Sequence, residues 1–154
     1  MKRLISAFAA ASMIAVMATS VALANHALPG DNVAPNSNSH EYMAGNPQCG
    51  ETPDGGFSLK IEAEDLGVGN YGPIDITAYD GTFVSWAINA AFLNIYDANL
   101  VIVKGGPNAI LYYYDVWDDW DTDLTAPVNP KSGKYYGISH VSFCFDPKVA
   151  PPAS

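Results

Sequence analysis

"LVIVKGGPNAILYYYD", residues 100–115, decides how this chain is read. Residues 100–104 form an apolar run closed by Gly105-Gly106, and such a run bounded by turn residues reads as a buried strand. Glycine reaches positive φ without steric cost, so Lys104, Gly105 and Gly106 read as a structural turn. A phosphate loop is excluded, because no G-x-x-x-x-G-K-[ST] context surrounds them. Residues 108–116 supply a second strand beyond the turn. Working outward, residues 57–66 alternate Phe57, Leu59, Ile61 and Ala63 against Ser58, Lys60, Glu62 and Glu64, the period-two pattern of a half-buried strand. In residues 72–81, Ile74, Ile76 and Ala78 share one side and Asp80-Gly81 marks a tight turn. Residues 82–89 and 140–145 add further strands. The alanines near 87–91 favour a helix, but the flanking strand signals favour strand and turn there. The expected fold is all-β, an antiparallel β-sandwich of about six to eight strands.

The ends read differently. Lys2 and Arg3 precede an uncharged apolar run over residues 4–23, and Ala22-Leu23-Ala24 places small residues at −3 and −1 of a cleavage site. Residues 1–24 therefore read as a signal peptide, with an uncleaved anchor helix as the rival. Cleavage after Ala24 leaves 154 − 24 = 130 residues with no cysteine at the new terminus, so lipid attachment is not expected. Both Lys2 and Arg3 leave with the peptide, so 7 − 2 = 5 lysines face 16 acidic residues, a side-chain charge of −11. That balance argues against nucleic acid and anionic membranes as partners, and leaves divalent cations and neutral polymers open. Residues 25–48 are rich in Asn, Pro, Gly and Ser and read as a flexible N-terminal arm; 49–147 form the domain and 148–154 a short tail. Cys49 and Cys144 are expected to pair in an exported chain, closing nearly the whole domain into one loop, with a two-thiol metal site or a reactive cysteine as the alternative.

Chemistry concentrates in "YYYDVWDDWDTD", residues 112–123. Tyr112 and Tyr114 share one strand face, while Trp117 and Trp120 fall in an expected loop over 116–123, where flat aromatic rings suit stacking on sugars or anchoring a protein. Tyr135 and Tyr136 extend the same patch if the loops converge. The run from Asp119 to Asp123 matches the D-x-D-x-D opening of a calcium loop but has Leu124 where glycine is needed and Pro130 where the bidentate glutamate belongs. A looser calcium site from Asp115, Asp119, Asp121 and Asp123 remains the cofactor expectation, with no cofactor as the alternative. No catalytic residue emerges. Ser139 and His140 are neighbours on a strand and point to opposite faces, so they form no dyad. His140 instead reads as structural, on the face of Cys144 and near the disulfide, where its ring can pin the sheet.

The stretches "NLVIVKGGPNAILYYYD" and "DLTAPVNPKSGKYYGISHVSFCF" resemble a pattern that recurs in exported bacterial proteins of unassigned function. Its marks are V-I-V-K-G-G, Y-x-Y-D, L-x-A-P-x-N-P and I-S-H-V-x-F-C, spread over about Cys49 to Phe145. The resemblance implies a fold and carries no chemistry. Such modules stand alone or precede a cell-surface anchor; this chain shows no sorting motif or hydrophobic tail, so wall attachment is not expected. The functional expectation is a secreted, non-catalytic β-sandwich that meets an extracellular polymer or protein through its aromatic and acidic loop. Its rivals are a secreted hydrolase with an unidentified carboxylate pair and a structural envelope protein. No membrane span is expected after cleavage.

Overall fold

The computed structural model describes residue 37 and residues 39–51 and 55–148. The expected signal peptide, most of the arm and residues 149–154 lie outside the described residues. Within them the chain is all-β, with no helix and eleven strands: β1 (Ser39–Ala44), β2 (Phe57–Glu62), β3 (Gly69–Asn70), β4 (Ile74–Tyr79), β5 (Phe83–Ile88), β6 (Tyr96–Gly105), β7 (Asn108–Tyr113), β8 (Trp120–Thr125), β9 (Val128–Asn129), β10 (Lys134–Tyr135) and β11 (His140–Pro147). Eight of these have six residues or more, in line with the strand count expected from the sequence.

The 100–115 stretch forms the β6–β7 hairpin. Gly105 pairs with Asn108 across a two-residue loop, Gly106-Pro107. Gly106 lies at φ 59 and proline fixes the next φ negative, the sign pattern of a type II′ hairpin turn. Gly105 is needed for a different reason, since a Cβ there would meet Ala126 and stand 2.7 Å from the carbonyl oxygen of Gly137. The hairpin centres a five-stranded antiparallel sheet, β1-β7-β6-β11-β2, which faces a four-stranded sheet, β3-β4-β5-β8. Between them lies one apolar layer, Ile61, Val101, Val103, Val141, Phe143 and Phe145 from the first sheet against Ile74, Ile76, Val84, Trp86 and Leu124 from the second. The Trp86 and Phe143 rings meet edge to face at 5.7 Å.

Three readings are corrected here. The arm of 25–48 is not wholly loose, because β1 pairs with β7 along six residues, from Ser39↔Tyr113 to Ala44↔Asn108. Its side chains are mostly exposed, so no apolar alternation announced it; its place rests on the backbone ladder. Ala78 does not share the inward side of Ile74 and Ile76. Thr77 is an extra residue between the pairs Ile76↔Trp86 and Ala78↔Ser85, and this bulge turns Ala78 outward and Tyr79 towards the core. Residues 120–125 are strand β8 rather than loop, so the expected loop shrinks to 114–119.

A second, smaller apolar cluster covers the outer face of the five-stranded sheet. Ile102, Ala109, Leu111 and Cys144 are buried beneath Met43 and Cys49. The disulfide joins Cys49 to Cys144, 95 positions apart in sequence, with Cα atoms 5.6 Å apart. Such a bond belongs to a non-cytoplasmic environment. Among the described residues no helix is long and apolar enough to cross a membrane.

Candidate interaction surface

At one end of the sandwich the 89–95 connection, the first residues of β6, the 114–119 loop and the last residues of β11 come together. Backbone bonds fix the arrangement: Ile88 N–H donates to Asp119 O at 2.7 Å and Lys148 N–H to Ile95 O at 2.8 Å. Six large hydrophobic residues are exposed among the described residues, and four of them, Ile95, Val116, Trp117 and Trp120, belong to this end.

Trp117 sits in a tight turn closed by Asp118 N–H to Asp115 O at 3.1 Å, and Asp118 Oδ2 accepts from Asp115 N–H at 2.9 Å. It occupies the third position of that turn at φ 85, where glycine or asparagine is usual. Two contacts hold it there. Its N–H donates to Asp97 Oδ1 at 3.3 Å, and the Lys148 ammonium lies 4.4 Å from its ring centroid. The ring is nonetheless 60% exposed. Trp120 opens β8, 51% exposed, and because Asp121 points into the sandwich its neighbour must point out.

The remaining expected site residues are distributed differently. Tyr112 and Tyr114 are buried and offer no face to a ligand; Tyr113, on the opposite side of the strand, is the half-exposed one. The sequence shows which tyrosines share a side but not which side faces the partner sheet. Tyr112 Oη donates to Thr125 O at 2.9 Å and accepts from Thr125 N–H at 3.0 Å. Burial pushes its phenol up to about 12, against the opposing effect of the Thr125 bonds. Tyr114 Oη donates to Asp121 Oδ2 at 2.9 Å, and its phenol is driven far above the ordinary range by burial and by the charge of Asp121. Tyr135 and Tyr136 lie at the other end of the molecule, against Phe83 and over the Gly105-Gly106 turn, so they do not extend the patch.

The four aspartates expected to share a cation are drawn apart. Asp121 is fully buried on Tyr114, Asp119 holds Lys148, and Asp115 is exposed. Asp123 takes φ 56 at a bulge where it and Thr122 together oppose Ser85, whose Oγ accepts its N–H at 3.1 Å. Among the described residues no group of three or more His, Cys, Asp or Glu is arranged to hold a metal ion.

His140 is buried on the outer face of β11, between Glu62 of β2 and Lys104 of β6. It lies four positions along the strand from Cys144, about 13 Å, so it does not touch the disulfide. Its Nδ1 lies 3.9 Å from Glu62 Oε2 and its Nε2 has no hydrogen-bond partner among the described residues. Burial, then the charges of Lys60 and Lys104, depress its pKa against the opposing pull of Glu62. Lys104 folds over the turn it precedes, donating to Gly106 O.

Asp97 and Lys148 are the residues of this end that the sequence did not mark. They stand 148 − 97 = 51 positions apart at the ends of two strands, and Lys148 falls in what reads as a tail. Its side chain is 4% exposed, with Nζ 2.6 Å from Leu93 O, 3.0 Å from Asp119 Oδ1 and 3.1 Å from Asp97 Oδ1. Burial alone would lower its pKa, but the bonds to Asp119 and Asp97 outweigh that and raise it.

No protein family matches this chain, and no curated protein or solved structure matches it significantly.

Proposed function

We propose that this protein is an exported, non-catalytic interaction module that binds an extracellular neutral polymer or protein through the tryptophan-bearing end of its sandwich. One observation carries the reading. Trp117 is held in a left-handed turn position by Asp97 and Lys148 with its ring exposed, at the end of the sandwich that also exposes Trp120, Val116 and Ile95. Contiguous exposed apolar residues rimmed by charge mark binding surfaces, and backbone strain persists where the surroundings over-determine it. The rim carries Asp115, Asp118 and Asp119, and Lys148, the one nearby cation among the described residues, is already paired, so the surface suits a neutral or cationic ligand rather than an anionic one. Export rests on residues 1–24 and on the resemblance to exported bacterial modules, and the disulfide supports it.

The test uses a panel of neutral polysaccharides and extracellular proteins immobilised against the oxidised chain. Binding by the wild type that disappears in the Trp117→Gly, Trp120→Ala double variant, with a cooperative urea unfolding transition retained, is the expected outcome. Equal binding by both proteins would remove the tryptophan end from the account.

A further inference from the structure

The group around Lys148 Nζ has the composition of a complete ammonium receptor. A primary ammonium carries three N–H donors. Three acceptors meet it here, Leu93 O, Asp119 Oδ1 and Asp97 Oδ1, and the Trp117 ring faces it at 4.4 Å. These groups come from three separate segments: the 89–95 connection, the start of β6 and the 114–119 loop. Lys60, by contrast, meets Glu62 alone among the described residues and its side chain is 41% exposed. The occupant enters from the end of β11, whose last ladder pair is Pro147↔Tyr96.

We propose that Leu93, Asp97, Asp119 and Trp117 form a binding site for a primary alkylammonium group, filled in cis by Lys148 and open in trans to a lysine side chain of another polypeptide when Lys148 is withdrawn. Two carboxylates against one ammonium leave the site negative, so an emptied receptor retains its attraction for a cation. Its selectivity follows from donor count. A quaternary ammonium has the charge and suits the ring, but it has no N–H for the three acceptors. A guanidinium is planar and presents its donors as a fork, which does not match acceptors converging on one point. The site shares Trp117 with the proposed binding end, but the rescue described below reads the filling of the receptor and not what that end binds.

The experiment is chemical rescue of Lys148→Ala in the oxidised full-length chain. Thermal unfolding is followed in n-butylammonium chloride and in tetramethylammonium chloride at matched ionic strength. The melting temperature of the variant is expected to climb with the logarithm of n-butylammonium concentration and not with tetramethylammonium, while the wild type, its receptor filled, responds equally to both salts. Adding Asp119→Asn should abolish the rescue. An identical response of Lys148→Ala to the two salts, or none, overturns the site. Should Lys148→Ala fail to fold unaided, its refolding yield in the two salts is compared, and equal yields overturn the site in the same way.

Discussion

Trp117 holds a turn position that glycine occupies with less strain, so its identity works against local stability. A non-glycine residue in the left-handed region costs about 1–3 kcal/mol, and the cation–π contact with Lys148 offsets part of that at about 0.5–2 kcal/mol. Trp117→Gly is therefore expected to leave the melting temperature unchanged or to raise it, although it removes the largest side chain of the loop. A drop of many degrees on calorimetry would make Trp117 a packing residue instead. Titrating residues add a second expectation. The pKa of His140 is lower in the fold than in the unfolded chain, so the unfolded state binds the proton first. Stability from neutral His140 is present above the unfolded value near 6.5 and declines as pH falls through and below it. The groups facing the ring, Lys60 and Glu62 from β2 and Lys104 from β6, stay in place in His140→Gln, which should flatten that acid-side decline in urea midpoints measured across this window. At the alkaline side the sign reverses in pH. Tyr112 and Tyr114 fold as neutral phenols, so their contribution is intact below pH 10 and lost as pH rises towards the folded value of about 12 for Tyr112. Absorbance at alkaline pH should show two of the nine tyrosines ionising only as the chain unfolds.

At the scale of elements, the β6–β7 turn gives the sharpest expectation. Gly105→Ala drives a methyl group against Ala126, the Gly137 carbonyl and Tyr136, on backbone that cannot yield as a flexible side chain would. Overpacking of that kind costs about 1–3 kcal/mol, read as a lowered denaturant midpoint at unchanged slope. An unaltered midpoint would mean that the 126–137 segment moves freely away from the hairpin. The turn was legible because glycine and proline act locally, and β2 was legible because Phe57, Leu59 and Ile61 alternate against one buried face. Other features depend on partners distant in sequence. Asp121 and Asp123 look like a hydrophilic loop, yet a bulge and a buried phenol turn them into a strand. Thr77 gives no sign of being the extra residue that flips Ala78. Met43 alone of β1 reaches the outer cluster, so that strand has no periodic signature. Burial of Tyr112 and Tyr114 rather than Tyr113 was set by the partner sheet, which period-two reasoning cannot orient. Trp117 and Trp120 were identifiable as exposed because few other positions follow a strand end so closely among aspartates, whereas their support, Asp97 and Lys148, exists only in three dimensions.

For the molecule as a whole, the disulfide couples two different effects. It joins the segment before β2 to the middle of β11, so the reduced chain gains freedom over nearly its entire folded length. For a loop of about 100 residues the chain-entropy account gives roughly 4.7 kcal/mol, a large part of the stability of a domain this size. It also fastens residues 45–51 to the outer face through Cys49, which packs on the cluster of Ile102, Ala109 and Leu111 away from the sheet–sheet core. Among the described residues that segment is otherwise tied to the sheet by Gly45 N–H on Pro107 O. Cys49→Ala with Cys144→Ala should therefore act in two stages. An apolar dye should bind the variant under native conditions, as the outer cluster loses its cover, while the near-ultraviolet signal of buried Trp86 persists. The urea midpoint should fall, and the slope should rise because the unlinked denatured chain exposes more surface. Dye binding that begins only where the Trp86 signal is lost would show that outer cover and sandwich core unfold as one unit. A midpoint equal to that of the oxidised protein would remove the disulfide from the stability of this fold and leave the two sheets to hold it alone.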